Sequence, residues 1–67
     1  MDYLEWGKEY LLEARRLKEY LRPLRKQLKD TSGEDAVLLF RRISILGDMY
    51  LELYHTGKHL LEKGGLE

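Results

Sequence analysis

The stretch Asp30-Thr31-Ser32-Gly33-Glu34-Asp35 (DTSGED, residues 30–35) is the clearest break in the hydrophobic pattern of this 67-residue chain. Thr31 followed three residues later by Glu34 fits a capping box, with Ser32 as the alternative N-cap. Glu34 and Asp35 also suit the positively charged start of a helix. A helix is therefore expected to begin at about residue 34.

Both sides of this break show the spacing of an amphipathic helix. Apolar or small residues recur at alternating intervals of three and four, which is the a/d pattern of helices packed along their length. Before the break these positions are Tyr3, Gly7, Tyr10, Ala14, Leu17, Leu21, Leu24 and Leu28. After the break they are Ala36, Leu39, Ile43, Leu46, Tyr50, Leu53, Gly57 and Leu60. The pattern predicts helices over residues 2–29 and 34–62, the second ending at Gly64-Gly65.

Pro23 lies inside the first predicted helix and removes one amide donor from it. It falls away from the apolar stripe, where a bend convex toward solvent is tolerated. We expect a kink at this position rather than a break.

Two helices of matched length joined by a short loop predict an all-α fold, an antiparallel helical hairpin in a single domain over residues 1–67. Facing residues in such a hairpin have numbers that sum to about 64, so Gly7 is expected to face Gly57. Leu66 and Glu67, which follow Gly64-Gly65, fit either native residues or a cloning scar.

The second helix is more apolar than one packing seam requires. Its large apolar residues outside the a/d positions are Val37, Leu38, Phe40, Ile45, Met49, Leu51 and Tyr54. A domain this small buries only about 60% of its unfolded surface, and the chain has no cysteine for disulfides. We therefore expect a homodimer that forms a four-helix bundle.

Composition excludes several classes of function. The 12 basic and 12 acidic residues cancel, and no apolar run reaches the roughly 18 residues that a membrane span needs. The N-terminus lacks the layout of a signal peptide, so we expect a cytoplasmic protein with no membrane association. No nucleophile and base form a recognisable pair, so no enzyme activity and no cofactor are expected.

One stretch is locally basic. Arg15, Lys18, Arg22, Arg25 and Lys29, here called the basic rail, follow 3-4-3-4 spacing over about 21 Å of helix. The rail predicts RNA or DNA contacts as one alternative, in a layout similar to that of small hairpin dimers that grip RNA, with no shared motif residues. The other alternative is a solvated face or ion pairs with Glu19, Asp48 or Glu52.

A metal site is a further alternative. His55 and His59 are four residues apart, and Glu52 and Glu62 flank them by three, a spacing that can hold a metal ion against one helix. The same four residues fall opposite the apolar stripe, which favours a solvated face without a metal.

The function that the sequence favours is a non-enzymatic protein–protein interaction or regulatory role with an unidentified protein partner. Exposed aromatic and large aliphatic side chains anchor such contacts. The predicted interaction surface comprises Tyr3, Trp6, Tyr10, Leu38, Ile45, Met49 and Tyr54. The aromatic members, with Tyr50, are expected to converge at the open end of the hairpin.

Overall fold

The chain forms two long α-helices joined by a three-residue loop. The computed structural model describes residues 2–66, with helix α1 spanning Tyr3–Lys29 and helix α2 spanning Gly33–Leu66. The helices pack against each other along their length, which confirms the predicted all-α antiparallel hairpin. Glu67 of the suspected scar lies outside the described residues.

Helix α1 begins with a side-chain cap and continues past its proline. The Asp2 carboxylate accepts hydrogen bonds from the amides of Leu4 and Glu5, at 3.1 and 3.2 Å. These bonds satisfy two of the amides that have no partner inside the first turn. The helix then runs unbroken through Pro23, which is exposed, to Lys29.

The loop closes α1 rather than capping α2, and the predicted capping box is wrong. The Thr31 hydroxyl donates to the carbonyl of Gln27 at 2.6 Å, and the Thr31 amide donates to the carbonyl of Leu28 at 3.2 Å. Thr31 therefore satisfies carbonyls that the end of α1 leaves free. Gly33 then turns the chain with a φ of +68°, a value that glycine adopts at little cost.

The core is a single seam between the two helices. Its buried residues are Gly7, Ala14, Leu21, Ile43, Gly57 and Leu60. All lie on the predicted a/d stripes, and Leu21 is only 1% exposed. The predicted Gly7–Gly57 pairing is present, because a Cβ atom on Gly7 would lie 2.9 Å from the Gly57 carbonyl oxygen.

The predicted end of the second helix at residue 62 is wrong, since α2 continues through Gly64 and Gly65 to Leu66. A Cβ atom on Gly64 would lie 2.8 Å from Leu4 Cγ and 3.0 Å from the Leu4 amide nitrogen. Gly64 therefore serves close packing against the first turn of α1 and does not act as a C-cap.

The hairpin is a narrow rod. Its principal extents are 52 × 15 × 14 Å, and its radius of gyration is 15.4 Å. A compact domain of this length would have a radius of gyration of about 11 Å. Most side chains outside the seam consequently face solvent, and the candidate site must lie on the long sides of the rod.

Candidate functional site

The contacts between the helices define two long lateral faces, one on each side of the core seam. Leu11 of α1 lies against Gly57, and Leu61 of α2 lies against Gly7, on one side. Tyr20 and Arg42 meet on the other side, where Arg42 Nη2 donates to the Tyr20 hydroxyl at 3.1 Å. Helical periodicity then assigns the remaining side chains to one face or the other.

The first side is the acid-free face. On α2 it carries a row with 3-4 spacing: Val37, Phe40, Ser44, Gly47, Leu51, Tyr54, Lys58 and Leu61. On α1 it carries Leu4, Lys8, Leu11 and the five residues of the basic rail. None of these positions is acidic, although the chain contains 12 acidic residues. The face therefore has an apolar row on one helix beside positive charge on the other.

The apolar row is open to solvent. Val37 is 57% exposed, Phe40 is 60% exposed and Leu51 is 49% exposed. Gly47 lies in the middle of the row, and a Cβ atom added there would meet nothing within 4 Å. The row thus has the spacing of a second packing seam without a helix against it.

All five side chains of the basic rail are exposed. Within residues 2–66 the one ion pair joins Arg16 Nη1 to Glu13 Oε1 at 2.9 Å, on the opposite side of α1. The predicted alternative in which the rail pairs with Glu19, Asp48 or Glu52 is therefore absent from the described structure. At the open end, the Lys58 ammonium lies 5.6 Å from the Tyr54 ring centroid, which adds another positive charge to the acid-free face.

The second side is the mixed face, because acidic, basic and apolar side chains alternate along it. Its residues on α1 are Trp6, Glu9, Glu13, Arg16 and Tyr20. Its residues on α2 are Asp35, Leu38, Arg42, Ile45, Met49, Glu52, Thr56 and His59. Leu38, Ile45 and Met49 are 48–57% exposed, so apolar area is available here too.

Two adjoining grooves lie on the mixed face. The larger, of about 280 Å³, is lined by Tyr10, Met49, Glu52, Leu53 and Thr56. The smaller, of about 180 Å³, is lined by Trp6, Glu9, Tyr10, Glu13 and Leu53. Tyr10 and Leu53 line both grooves, so this part of the face is indented and not flat.

The structure divides the predicted interaction surface between the two faces. Trp6, Leu38, Ile45 and Met49 lie on the mixed face, and Tyr10 lines its grooves. Tyr54 lies on the acid-free face. The tyrosine and tryptophan rings contact one another along each helix, in the pairs Tyr3–Trp6, Trp6–Tyr10 and Tyr50–Tyr54, with ring centroids 6.0–6.5 Å apart.

Tyr3 lies at the open end of the hairpin, where the Lys63 ammonium sits 5.7 Å from its ring centroid. This contact joins the start of α1 to the end of α2. Tyr3 is half-buried, so part of its ring remains available to a partner.

The candidate metal ligands are exposed on α2. His55 packs edge-on against the Tyr54 ring at 5.7 Å, and His59, Glu52 and Glu62 are also exposed. Among residues 2–66, no three His, Asp or Glu side chains come together in a group that could hold a metal ion. In the same residues, neither helix is long and apolar enough to cross a membrane.

The predicted interaction surface left out Val37, Phe40 and Leu51, which are among the most exposed apolar side chains of α2. The signal that could have found them is their 3-4 spacing with Ser44, Gly47 and Tyr54. This second repeat became meaningful once the register with α1 placed the basic rail beside it.

Comparison of the chain with protein-family models, with curated proteins and with solved structures finds no match. The two lateral faces are therefore the features of the molecule that point to a function.

Proposed function

We propose that the protein is a non-enzymatic protein–protein interaction module of the cytoplasm. Its acid-free face binds an amphipathic helix of another protein, and that helix carries acidic residues beside its apolar stripe. The observation that carries this proposal is the exposed apolar row of α2 running beside the basic rail of α1.

The spacing of the row favours a helix as the partner. Residues at alternating intervals of three and four present the ridges and holes into which the side chains of a facing helix fit. Ser44 and Gly47 are small and lie at the middle of the row, so a partner helix can approach closely there. Phe40 and Leu51 flank them and supply apolar area that association removes from water.

The charge of the face favours acidic residues on the partner. A helix seated on the row of α2 has one flank over the basic rail, which pairs with no carboxylate of residues 2–66. Opposite charges at the flanks of a helical seam select the partner and its orientation. A partner with lysine or arginine at the same positions is repelled, which provides specificity.

Nucleic acid is the less favoured occupant of the same face. A phosphate backbone would use the basic rail but leaves the aliphatic residues Val37 and Leu51 without a partner. The chain as a whole has a net charge of zero, whereas nucleic-acid-binding domains are typically basic overall.

Synthetic peptides test the proposal directly. One labelled heptad-repeat peptide carries leucine at its a/d positions and glutamate at both flanks, and a matched peptide carries lysine at the flanks. Fluorescence anisotropy with the full chain should detect the glutamate peptide and not the lysine peptide. Binding should weaken as salt rises, because charge attraction contributes to it. A single-stranded RNA of about 20 nucleotides, long enough to span the rail, serves as the competing probe.

Variants of the chain distinguish peptide binding from nucleic-acid binding. The change Phe40→Ala should weaken peptide binding at least about tenfold by removing a central apolar contact. The paired change Arg22→Glu with Arg25→Glu should abolish it, whereas the outward-facing change Lys26→Ala should leave it intact. If neither peptide binds, the proposal is rejected. RNA binding that needs the rail but tolerates Phe40→Ala would replace it with a nucleic-acid function.

A further inference from the structure

On the mixed face, the side chains in the first half of α2 are complementary in charge and apolar character to those in its second half. Leu38, Arg42, Ile45, Met49 and Glu52 follow one another at intervals of four and three. An apolar pair occupies the centre, with a basic residue on one side and an acidic residue on the other. We propose that this face binds a second copy of the chain, with α2 antiparallel to α2, and that the two hairpins form a four-helix bundle.

Charge decides the orientation of the two copies. In a parallel arrangement each residue of α2 meets its own equivalent, so Arg42 meets Arg42 and Glu52 meets Glu52. In the antiparallel arrangement Arg42 meets Glu52 of the second copy, and two-fold symmetry makes this ion pair twice. Like charges across an interface are costly, and opposite charges fix orientation and register.

The register follows from the same residues. Pairing Arg42 with Glu52 of the second copy also places Ile45 opposite Met49 and Leu38 opposite Thr56. The same register puts Asp35 opposite His59 of the second copy. This register thus pairs Arg42 with Glu52 and Ile45 with Met49 at the central levels of the seam, and Leu38 meets the smaller Thr56 further out.

Neighbouring registers lose these matches. A shift of one heptad in one direction places Asp35 opposite Glu52 of the second copy and Arg42 opposite Ile45. A shift in the other direction places Met49 opposite Glu52 and Arg42 opposite His59. Each shift buries a charge against an apolar side chain or a like charge, which is unfavourable.

The larger groove is shaped to receive one of these side chains. Its lining residues on α2, Met49, Glu52, Leu53 and Thr56, stand at positions i, i+3, i+4 and i+7, the four-residue hole of helix packing. Arg42 of the second copy reaches this level of the seam, where the Glu52 carboxylate can accept from its guanidinium. In the single hairpin Arg42 uses one donor on Tyr20, and a guanidinium has five.

The acid-free face is poorly suited to self-association, because its charge is of one sign. If two copies paired through that face with α2 antiparallel to α2, both α1 helices would lie on the same side of the α2 pair. The two basic rails would then lie on the inner sides of the two α1 helices, with positive side chains turned toward positive side chains. No acidic residue on that face relieves the repulsion.

The exposed area of the hairpin suits a dimer. The accessible surface is 5446 Å², whereas a compact monomer of 8.0 kDa exposes about 4,500 Å². The excess of about 1,000 Å² is close to the area of about 800 Å² that each partner buries in a standard interface. One dimer contact along α2 would therefore bring the surface of each copy to the ordinary range.

Charge reversal tests the proposal, with the dissociation constant of the dimer measured by sedimentation equilibrium. Arg42→Glu and Glu52→Arg should each weaken the dimer at least about tenfold, since each places like charges at two symmetric positions. The variant carrying both changes should recover to within about threefold of the wild-type constant, because the pairs are re-formed with reversed sign. The outward-facing changes Arg41→Glu and Asp48→Arg are the controls and should leave the constant unchanged. Circular dichroism confirms that each variant remains helical.

Three results would overturn the proposal: a wild-type chain that is still monomeric at several hundred micromolar, a double variant that dimerises no more tightly than the weaker single variant, or control variants that weaken the dimer equally.

A second measurement does not depend on charge. Because the chain has no cysteine, an equal mixture of Ile45→Cys and Met49→Cys chains should form disulfide-linked dimers faster than a mixture of Ile45→Cys and Leu51→Cys chains. Equal rates in the two mixtures would also overturn it. Phe40→Ala, which tests the acid-free face, should leave the dimer intact, so the two proposals succeed or fail separately.

Discussion

At the scale of single residues, the glycines of this chain have different roles set by what faces them. Gly7 and Gly57 bring the two backbones into contact, since a Cβ atom on Gly7 would lie 2.9 Å from a carbonyl oxygen that cannot move aside. Gly47 faces open space and Gly33 supplies the left-handed turn. Helix propensity alone would treat Gly7 and Gly47 as equivalent.

The pair Gly7→Ala and Gly47→Ala separates packing from propensity. Alanine at position 47 should raise the free energy of unfolding by up to about 1 kcal/mol, the propensity difference in a helix interior. Alanine at position 7 should lower it by about 1–3 kcal/mol, because the overpacking cost exceeds that gain. Thermal or urea unfolding followed by circular dichroism measures both. A stabilised Gly7→Ala variant would show that the helices separate there at no cost.

At the scale of elements, α1 keeps a residue that weakens it. Pro23 deprives the Glu19 carbonyl of its helical partner, yet the helix continues to Lys29 and the proline ring is exposed. The packing of Leu21 and its neighbours against α2 therefore holds the helix together across the proline.

Replacing Pro23 with alanine restores the missing amide donor without touching the seam. The expected result is a gain of about 1–3 kcal/mol in the free energy of unfolding. Lys26→Ala, another exposed position three residues later, should change stability by less than about 0.5 kcal/mol and is the matched control. A loss of stability in Pro23→Ala would mean that the proline at this position favours the packed conformation of α1.

Both helices and their seam could be predicted from the 3-4 spacing, because burial of one stripe is the main requirement that a helical hairpin places on its sequence. The end of α2 and the role of Thr31 could not. A glycine can stop a helix or allow close approach, and Gly64 does the second only because Leu4 lies opposite it. A threonine between helices can bond either one, and Thr31 bonds the nearer carbonyl of Gln27.

The candidate surfaces were only partly predictable for a related reason. The basic rail and the apolar excess of α2 were both visible in the sequence, but as separate features. Contacts such as Tyr20–Arg42 and Leu11–Gly57 determine that the rail adjoins Phe40 and that Met49 lies on the other side. Such lateral relations follow only when the register between the helices is combined with the side of its own helix on which each residue lies, and the periodicity of one helix taken alone does not contain them.

At the scale of the whole molecule, stability should depend on how much of the rod is covered. The single hairpin has few fully buried side chains, among them Ala14 and Leu21, and a radius of gyration well above that of a compact domain. Association through the mixed face would couple folding to protein concentration. A hundredfold increase in concentration should then raise the Tm by on the order of 10 °C for a dimer of this size. Thermal unfolding across that range measures the shift, and a constant Tm would argue for a stable isolated hairpin.

Because the acid-free face has no carboxylates, this rod of zero net charge has a dipole moment directed across its width. The 11 acidic residues among residues 2–66 all lie outside the acid-free face, so the rod has a positive side and a negative side across its 15 Å width. An approaching polyanion or acidic helix experiences a torque that turns the rod before any contact forms. At 0.1 M salt this alignment acts within about 10 Å, which is comparable to the thickness of the rod itself. A chain with no net charge can thus present the same side to every acidic surface it meets.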